Sequence, residues 1–194
     1  MVGNTPDTGA RTPPASPARA APNAKVIAFE PDKEVHQVLK KNLASFGFDD
    51  VELHEAALWS TDTELSFKPD GSDSGRVVTD TTGVSVRAVR AKDLLSEHTD
   101  FLKLDIEGAE LEVLEDCFDV MQNVDHLFVE YHSFANAPQK IGRLFEILIE
   151  SGFRLKGSVP SSPKSPFCDR GEYLGMDFLM NIFAYRKETS ESHV

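Results

Sequence analysis

The chain has 194 residues and a formal charge of −12, a length that suits one domain of ordinary size. A hydrophobic fraction of 40% with 13 phenylalanines provides a real core and excludes wholesale disorder. The 32 acidic against 20 basic residues, with no Lys/Arg cluster among them, exclude a nucleic-acid backbone binder.

Residues 1–24 are Pro, Ala, Thr and Arg in no periodic order, the composition of an irregular segment, and they lack the apolar run of a secretory signal. Residues 25–31 (KVIAFEP) read as a short buried strand stopped by Pro31. Asp32 caps a helix whose apolar face is Val35, Val38, Leu39, Leu43 and Phe46, with Gly47 just beyond its end. Residues 51–59 (VELHEAALW) form a second strand-like run. The polar stretch 60–92 holds three short strands, ELSF, RVVT and VSVRAV, with strong turn signals at 70–75.

After the short helix AKDLLSE, the strand DFLKLDIEG turns at Gly108 into a helix that gathers Val113, Leu114, Cys117, Phe118 and Met121 on one face. The strand DHLFVEYH, the helix KIGRLFEILIESG, and the strands FRLKGSV and MDFLMNIFAYR complete the order. The last two strands have no helix between them and predict an antiparallel edge. Strand and helix alternating at this spacing predict an α/β fold with a doubly wound, mostly parallel, Rossmann-like sheet. The domain is expected over residues 25–186, with a tail at 187–194. No apolar run reaches the roughly 20 residues of a membrane span. Cys117 and Cys168 are too few for a disulfide framework or a zinc ribbon and read as free thiols in the cytoplasm.

Doubly wound sheets bind ligands at the carboxyl ends of their strands, which directs attention to Glu30, residues 56–59, 105–110 and 130–132. Glu30 suits the two hydroxyls of a ribose, against the plainer reading of a solvated charge before a helix. Asp105 follows Leu104 out of a core strand. Glu107 has an alternative role as a helix-dipole partner, and that reading is adopted for Glu110, Glu112, Glu115 and Asp116. Glu130 and His132 alternate on one strand and so share a face opposite Tyr131. Because neighbouring strands lie about 5 Å apart, Asp105 and one of this pair are expected to converge. A carboxylate with an imidazole suits general base work or a hard divalent metal. His36, His54, His98, His126 and His193 are assigned to the surface or to loops.

With VIAFEP and LKLDIEGAELEVL both in place, the sequence resembles the FkbM-type methyltransferases. The K-x-D-x-E-G-x-E signature is carried by Lys103, Asp105, Glu107, Gly108 and Glu110. An A-F-E-P strand end (residues 28–31) followed by Asn42, an alanine-rich segment at Ala56, Ala57 and Leu58, and V-E-x-H at residues 129–132 add to the likeness. The resemblance implies the class I methyltransferase fold and S-adenosylmethionine as cofactor. It implies that Glu30 holds the ribose, that Ala57 borders the adenine and that Asp105 lies beside the methionine moiety or the accepting hydroxyl. Asp7 and Gly9 stand where the family has its glycine-bearing first turn. Glu130 and His132 fall on the acceptor side, so that Asp105, Glu130 and His132 are the catalytic candidates; Mg2+, if used, falls to Asp105 and Glu130.

The implied reaction is methyl transfer to a hydroxyl of a small molecule or glycan. The first motif departs from the family: Arg11 replaces its asparagine and Pro13 its second glycine, and Pro14 and Pro17 break the helix that should follow. A sheet so interrupted favours association of two copies of the chain. It also sustains an alternative, a non-catalytic binding module on the same fold. A nicotinamide-dependent dehydrogenase is set aside because the chain has no G-x-G-x-x-G turn.

Overall fold

The computed structural model describes residues 24–68, 76–78, 83–160, 165, 167–168 and 171–187. Asp7, Gly9, the rest of the first motif and His193 lie outside the described residues. The chain divides into two compact units, Met1–Glu55 and Ala56–Val194.

The first unit is a strand–helix–strand. β1 (Ile27–Phe29) pairs in parallel with β2 (Glu52–His54), and α1 (Lys33–Ser45) connects them. Asp32 caps α1 as expected, its Oδ1 accepting the Glu34 and Val35 N–H groups at 2.8 and 3.1 Å. At the far end Gly47 adopts φ 73°. Its N–H donates to the Ala44 carbonyl and that of Phe48 to the Leu43 carbonyl, so the last orphan carbonyls are satisfied. The helix face differs from expectation. Val38 and Phe46 are exposed, while His36, assigned to the surface, is buried at 8% exposure. A histidine at one helix turn from Lys40 looks polar in sequence, yet its ring lies over the apolar side of α1 with Leu43, Ala44 and Leu53. His54 stacks on Phe29 with ring centroids 4.9 Å apart.

The expected single strand at 51–59 is two strands. β2 ends at His54, and β3 (Ala57–Trp59) opens the second unit in a different sheet. No glycine or proline in residues 51–59 signals such a break. β3 pairs in parallel with β6 (Val84–Arg90), and β4 (Thr63–Lys68) joins β6 and β5 (Arg76–Val78) antiparallel. These are the three short strands expected in the polar stretch. α2 (Ala91–Leu94) follows, and Arg90 before it grips Asp116 with two hydrogen bonds of 2.9 and 2.6 Å.

The main sheet has the order β7–β8–β10–β9, from β7 (Thr99–Leu104), β8 (Val124–Phe134), β9 (Arg154–Ser158) and β10 (Met176–Tyr185). β7 and β8 are parallel; β10 runs antiparallel to both β8 and β9, which leaves β9 as the antiparallel edge. α3 (Glu110–Cys117), continued by a 3-10 helix (Phe118–Asn123), and α4 (Ile141–Glu150) supply the covering layer. Val113, Leu114 and Cys117 of α3 and Leu144, Ile147 and Leu148 of α4 are buried in one cluster with Leu104, Leu127, Val129, Tyr131, Ile182 and Ala184. Alternation along β8 sends Leu127, Val129 and Tyr131 into that core and leaves Glu130 for the other face. The layers and the parallel strand pairs make a Rossmann-like α/β fold. Among the described residues, no helix is long and apolar enough to cross a membrane.

Candidate active site

The site in the second unit grows from the end of β7. Leu104 is fully buried and anchors the strand; Asp105 follows it, and the chain then turns sharply. Glu107 has φ 55° and Gly108 φ 100°. A non-glycine residue in the left-handed region costs about 1–3 kcal/mol and persists only where its surroundings impose it. At Gly108 a Cβ would stand 2.7 Å from Cε2 of Phe134, so the glycine supplies both the backbone angle and the space for that ring.

Glu110 is the centre of the turn. It is 1% exposed, and its Oε1 accepts the N–H groups of Ile106 at 3.3 Å and Gly108 at 3.0 Å. The same oxygen lies 2.9 Å from Nδ1 of His132. Glu110 does stand in the first turn of α3, where the dipole reading put it, but its carboxylate is internal and also locks the turn to β8. Position alone hid this, because acids in a first helical turn are usually solvated. The available signals were the D-x-E-G-x-E signature, which includes Glu110, and the V-E-x-H strand end that carries His132.

His132 does converge with Asp105, as the strand spacing predicted. Its Nε2 stands 3.9 Å from Asp105 Oδ1 and 3.5 Å from Glu107 Oε2. Burial alone would push the imidazolium's pKa down. The hydrogen bond and charge of Glu110, with Glu107 and Asp105 near, override that and raise it to about 9. The surrounding carboxylates thus favour the protonated imidazole while no other cation is bound between them. Burial first, then the neighbouring acids, lift Glu107 to about 7 against the pull of His132. Glu130 is raised by burial, then by the charge of the neighbouring Asp105. Lys103 balances Asp105 from the other side, Nζ to Oδ2 3.1 Å. Asp105, Glu130 and His132 are therefore neighbours, and Lys103, Glu107 and Glu110 complete the cluster.

The remaining sequence candidates are placed separately. Ala57 opens β3 and is buried, as is Ala56 before it. In the first unit Glu30 stands directly after β1. Its Oε1 accepts the Asp32 N–H at 2.8 Å, and its own N–H donates to the His54 carbonyl. The carboxylate is thereby oriented by the turn that starts α1.

Solved structures of other methyltransferases align with this chain. A methyltransferase FkbM from Methylobacillus flagellatus aligns with a TM-score of 0.54 at 14% identity, over 83% of this chain and 36% of its own length. A precorrin-6y C5,15-methyltransferase from Geobacter metallireducens aligns at 0.48 and 12% identity, over 88% of this chain and 71% of its own. This chain thus spans about a third of the first of these proteins. No curated protein matches it. The sequence pattern of the FkbM methyltransferase domain runs through residues 5–155, from the first motif across the Asp105–Glu110 turn and the Glu130–His132 strand end, and the chain belongs to that methyltransferase family.

Proposed function

We propose that the protein is an S-adenosylmethionine-dependent O-methyltransferase whose acceptor is a hydroxyl of a small molecule or glycan. The observation that carries this reading is the cluster at the ends of β7 and β8, where Asp105 stands 3.1 Å from Lys103 Nζ and 3.9 Å from Nε2 of the buried His132, with Glu130 beside them. S-adenosylmethionine, its ribose held by Glu30, would supply a sulfonium methyl group to the acceptor oxygen, with S-adenosylhomocysteine as the co-product. The chain's own part is to hold the reactants in line and to take the hydroxyl proton.

Glu130 is the proton acceptor in this reading, since burial and the Asp105 charge make its carboxylate more basic than a free one. Asp105 orients the hydroxyl and is itself held by Lys103 at 3.1 Å and faced by His132 at 3.9 Å. Glu30 fits the ribose: it is an acceptor-only group at a strand end, fixed in orientation by the Asp32 N–H. Ala57 and Ala56 present no side chain beyond a methyl, in keeping with a flat adenine edge. The net charge of −12 disfavours nucleic acid as the acceptor. Two unpaired cysteines, one of them in the core, support a cytoplasmic setting.

The test is calorimetric titration of the 194-residue chain with S-adenosylhomocysteine, with NAD as control. Micromolar binding of the first alone is expected, and Glu30→Ala should weaken it by about 1–3 kcal/mol, the scale of hydrogen bonds to a charged group. One observation favours a second reading, a binding module without catalysis: Arg11 and Pro13 alter the first motif. A folded chain that binds no S-adenosylhomocysteine would establish that reading over the first.

A further inference from the structure

We propose that Asp105, Glu107 and His132 form a binding site for one divalent first-row transition ion, with Glu110 orienting the imidazole toward it. One ligand atom from each of the three residues lies within 4.8 Å of the other two. Donors about 2.0–2.2 Å from one ion stand at most about 4.4 Å apart; the two His132 pairs, at 3.9 and 3.5 Å, already meet that limit.

The histidine points to a ligand independently of the acids. Its side chain is 5% exposed. Nδ1 is hydrogen-bonded to Glu110, whereas Nε2 makes no hydrogen bond and has only two carboxylate oxygens before it, at 3.5 and 3.9 Å. A carboxylate behind one ring nitrogen, with the other nitrogen directed at an ion that displaces its proton to solvent, is how metal-ligating imidazoles are fixed in tautomer and direction. Glu107 reaches the same spot through a left-handed backbone angle of 55°, a conformation that a surface acid has no reason to adopt. The surroundings lack positive charge: four carboxylates, Asp105, Glu107, Glu110 and Glu130, face His132 and Lys103.

The donor set chooses the ion. One imidazole nitrogen with two carboxylate oxygens suits Mn2+, Fe2+, Co2+ or Zn2+, whereas Mg2+ and Ca2+ take oxygen ligands. The site therefore differs from the Mg2+ pair of Asp105 and Glu130 expected from sequence, and it leaves Glu130 outside the ligand set. Only its role rests on the methyl-transfer reading: positions left open on the ion would lower the proton affinity of an acceptor hydroxyl. A second cluster, His98, Asp100 and Asp125, serves as control. His98 and Asp100 there are exposed, and Nε2 of His98 already bonds Asp125 at 3.0 Å.

The experiment is titration of the EDTA-treated full chain with Co2+, followed by visible absorption and calorimetry. One saturable equivalent is expected. Glu107→Gln and His132→Ala should each weaken binding about a hundredfold, Glu110→Gln by about ten- to a hundredfold, and His98→Ala should leave it unchanged. Circular dichroism checks each variant's fold, and Glu107→Gln decides the matter if His132→Ala does not fold. The absence of saturable binding, binding indifferent to Glu107→Gln, or binding abolished by His98→Ala overturns the proposal. A parallel titration with S-adenosylhomocysteine separates the two ideas. Cobalt bound without it sinks the methyl-transfer reading alone, and the converse sinks the metal site alone.

Discussion

Two residues of the β7–α3 turn carry most of its geometry, and each yields a measurable consequence. Glu110 satisfies two backbone N–H groups and the His132 ring from inside the fold. Glu110→Ala would leave a buried cation and two amides without their partner, a change that typically costs about 3–5 kcal/mol. Urea denaturation at neutral pH measures it, and a loss under about 1 kcal/mol would mean that solvent replaces the carboxylate. Gly108→Ala adds a methyl group against Phe134 at a φ of 100°, for an expected loss of about 1–3 kcal/mol. Phe134→Ala removes the ring but not the backbone strain. In that background the glycine substitution should cost less, with a coupling of about 1 kcal/mol in a double-mutant cycle. Strict additivity would show that the ring moves aside.

At the scale of elements, what the sequence revealed depended on whether local chemistry decided the outcome. The Asp32 cap and the Gly47 end of α1 were legible because capping is local, read from side chains within three residues. The three short strands between Thr63 and Arg90 were legible from alternation and turn residues. The break between β2 and β3 was not, since no glycine or proline marks it and sheet membership is settled by distant partners. Burial of His36 and Glu110 escaped for a related reason: a polar side chain discloses its partners only once the strands bring them near.

Arg186 is a further long-range device. After β10 its guanidinium donates to the carbonyls of Val124, Ser151 and Met121 at 2.8, 3.1 and 2.6 Å, and it lies 4.4 Å over the Phe153 ring. It thus ties the ends of α4 and of the 3-10 helix to the start of β8. Arg186→Lys keeps the charge but loses the planar fork, and an expected cost of about 2–3 kcal/mol is readable by chemical denaturation. A near-neutral result would show that a point charge suffices there.

For the molecule as a whole, pH acts through the buried groups in one direction. The His132 pKa, about 9 against the usual 6.5, gives a contribution complete below 6.5 and lost as pH rises through 9. Glu107, raised from 4.5 to about 7, has the same sign: burial favours its neutral form, so that stability is complete below 4.5 and declines through 7. The Cys117 thiol, pushed up by burial from 9 to about 12, extends the decline at alkaline pH. A net charge that is already −12 grows more negative over the same range and adds self-repulsion. The thermal midpoint should therefore fall between pH 5 and pH 9, and His132→Gln should flatten the upper part of the curve. A midpoint rising across that interval would contradict the assignment of His132 as a buried cation.

The position of β10 between β8 and β9 also sets an order of assembly. β9 is hydrogen-bonded only to β10 among the described strands, yet it is made first, with residues 159–175 still to come. As the chain is made, β9 has no strand to pair with until β10 inserts beside β8 and gives it its place. A pause or premature stop shortly before Met176 would leave the main sheet open and release a chain prone to pairing its open strands with a neighbour's.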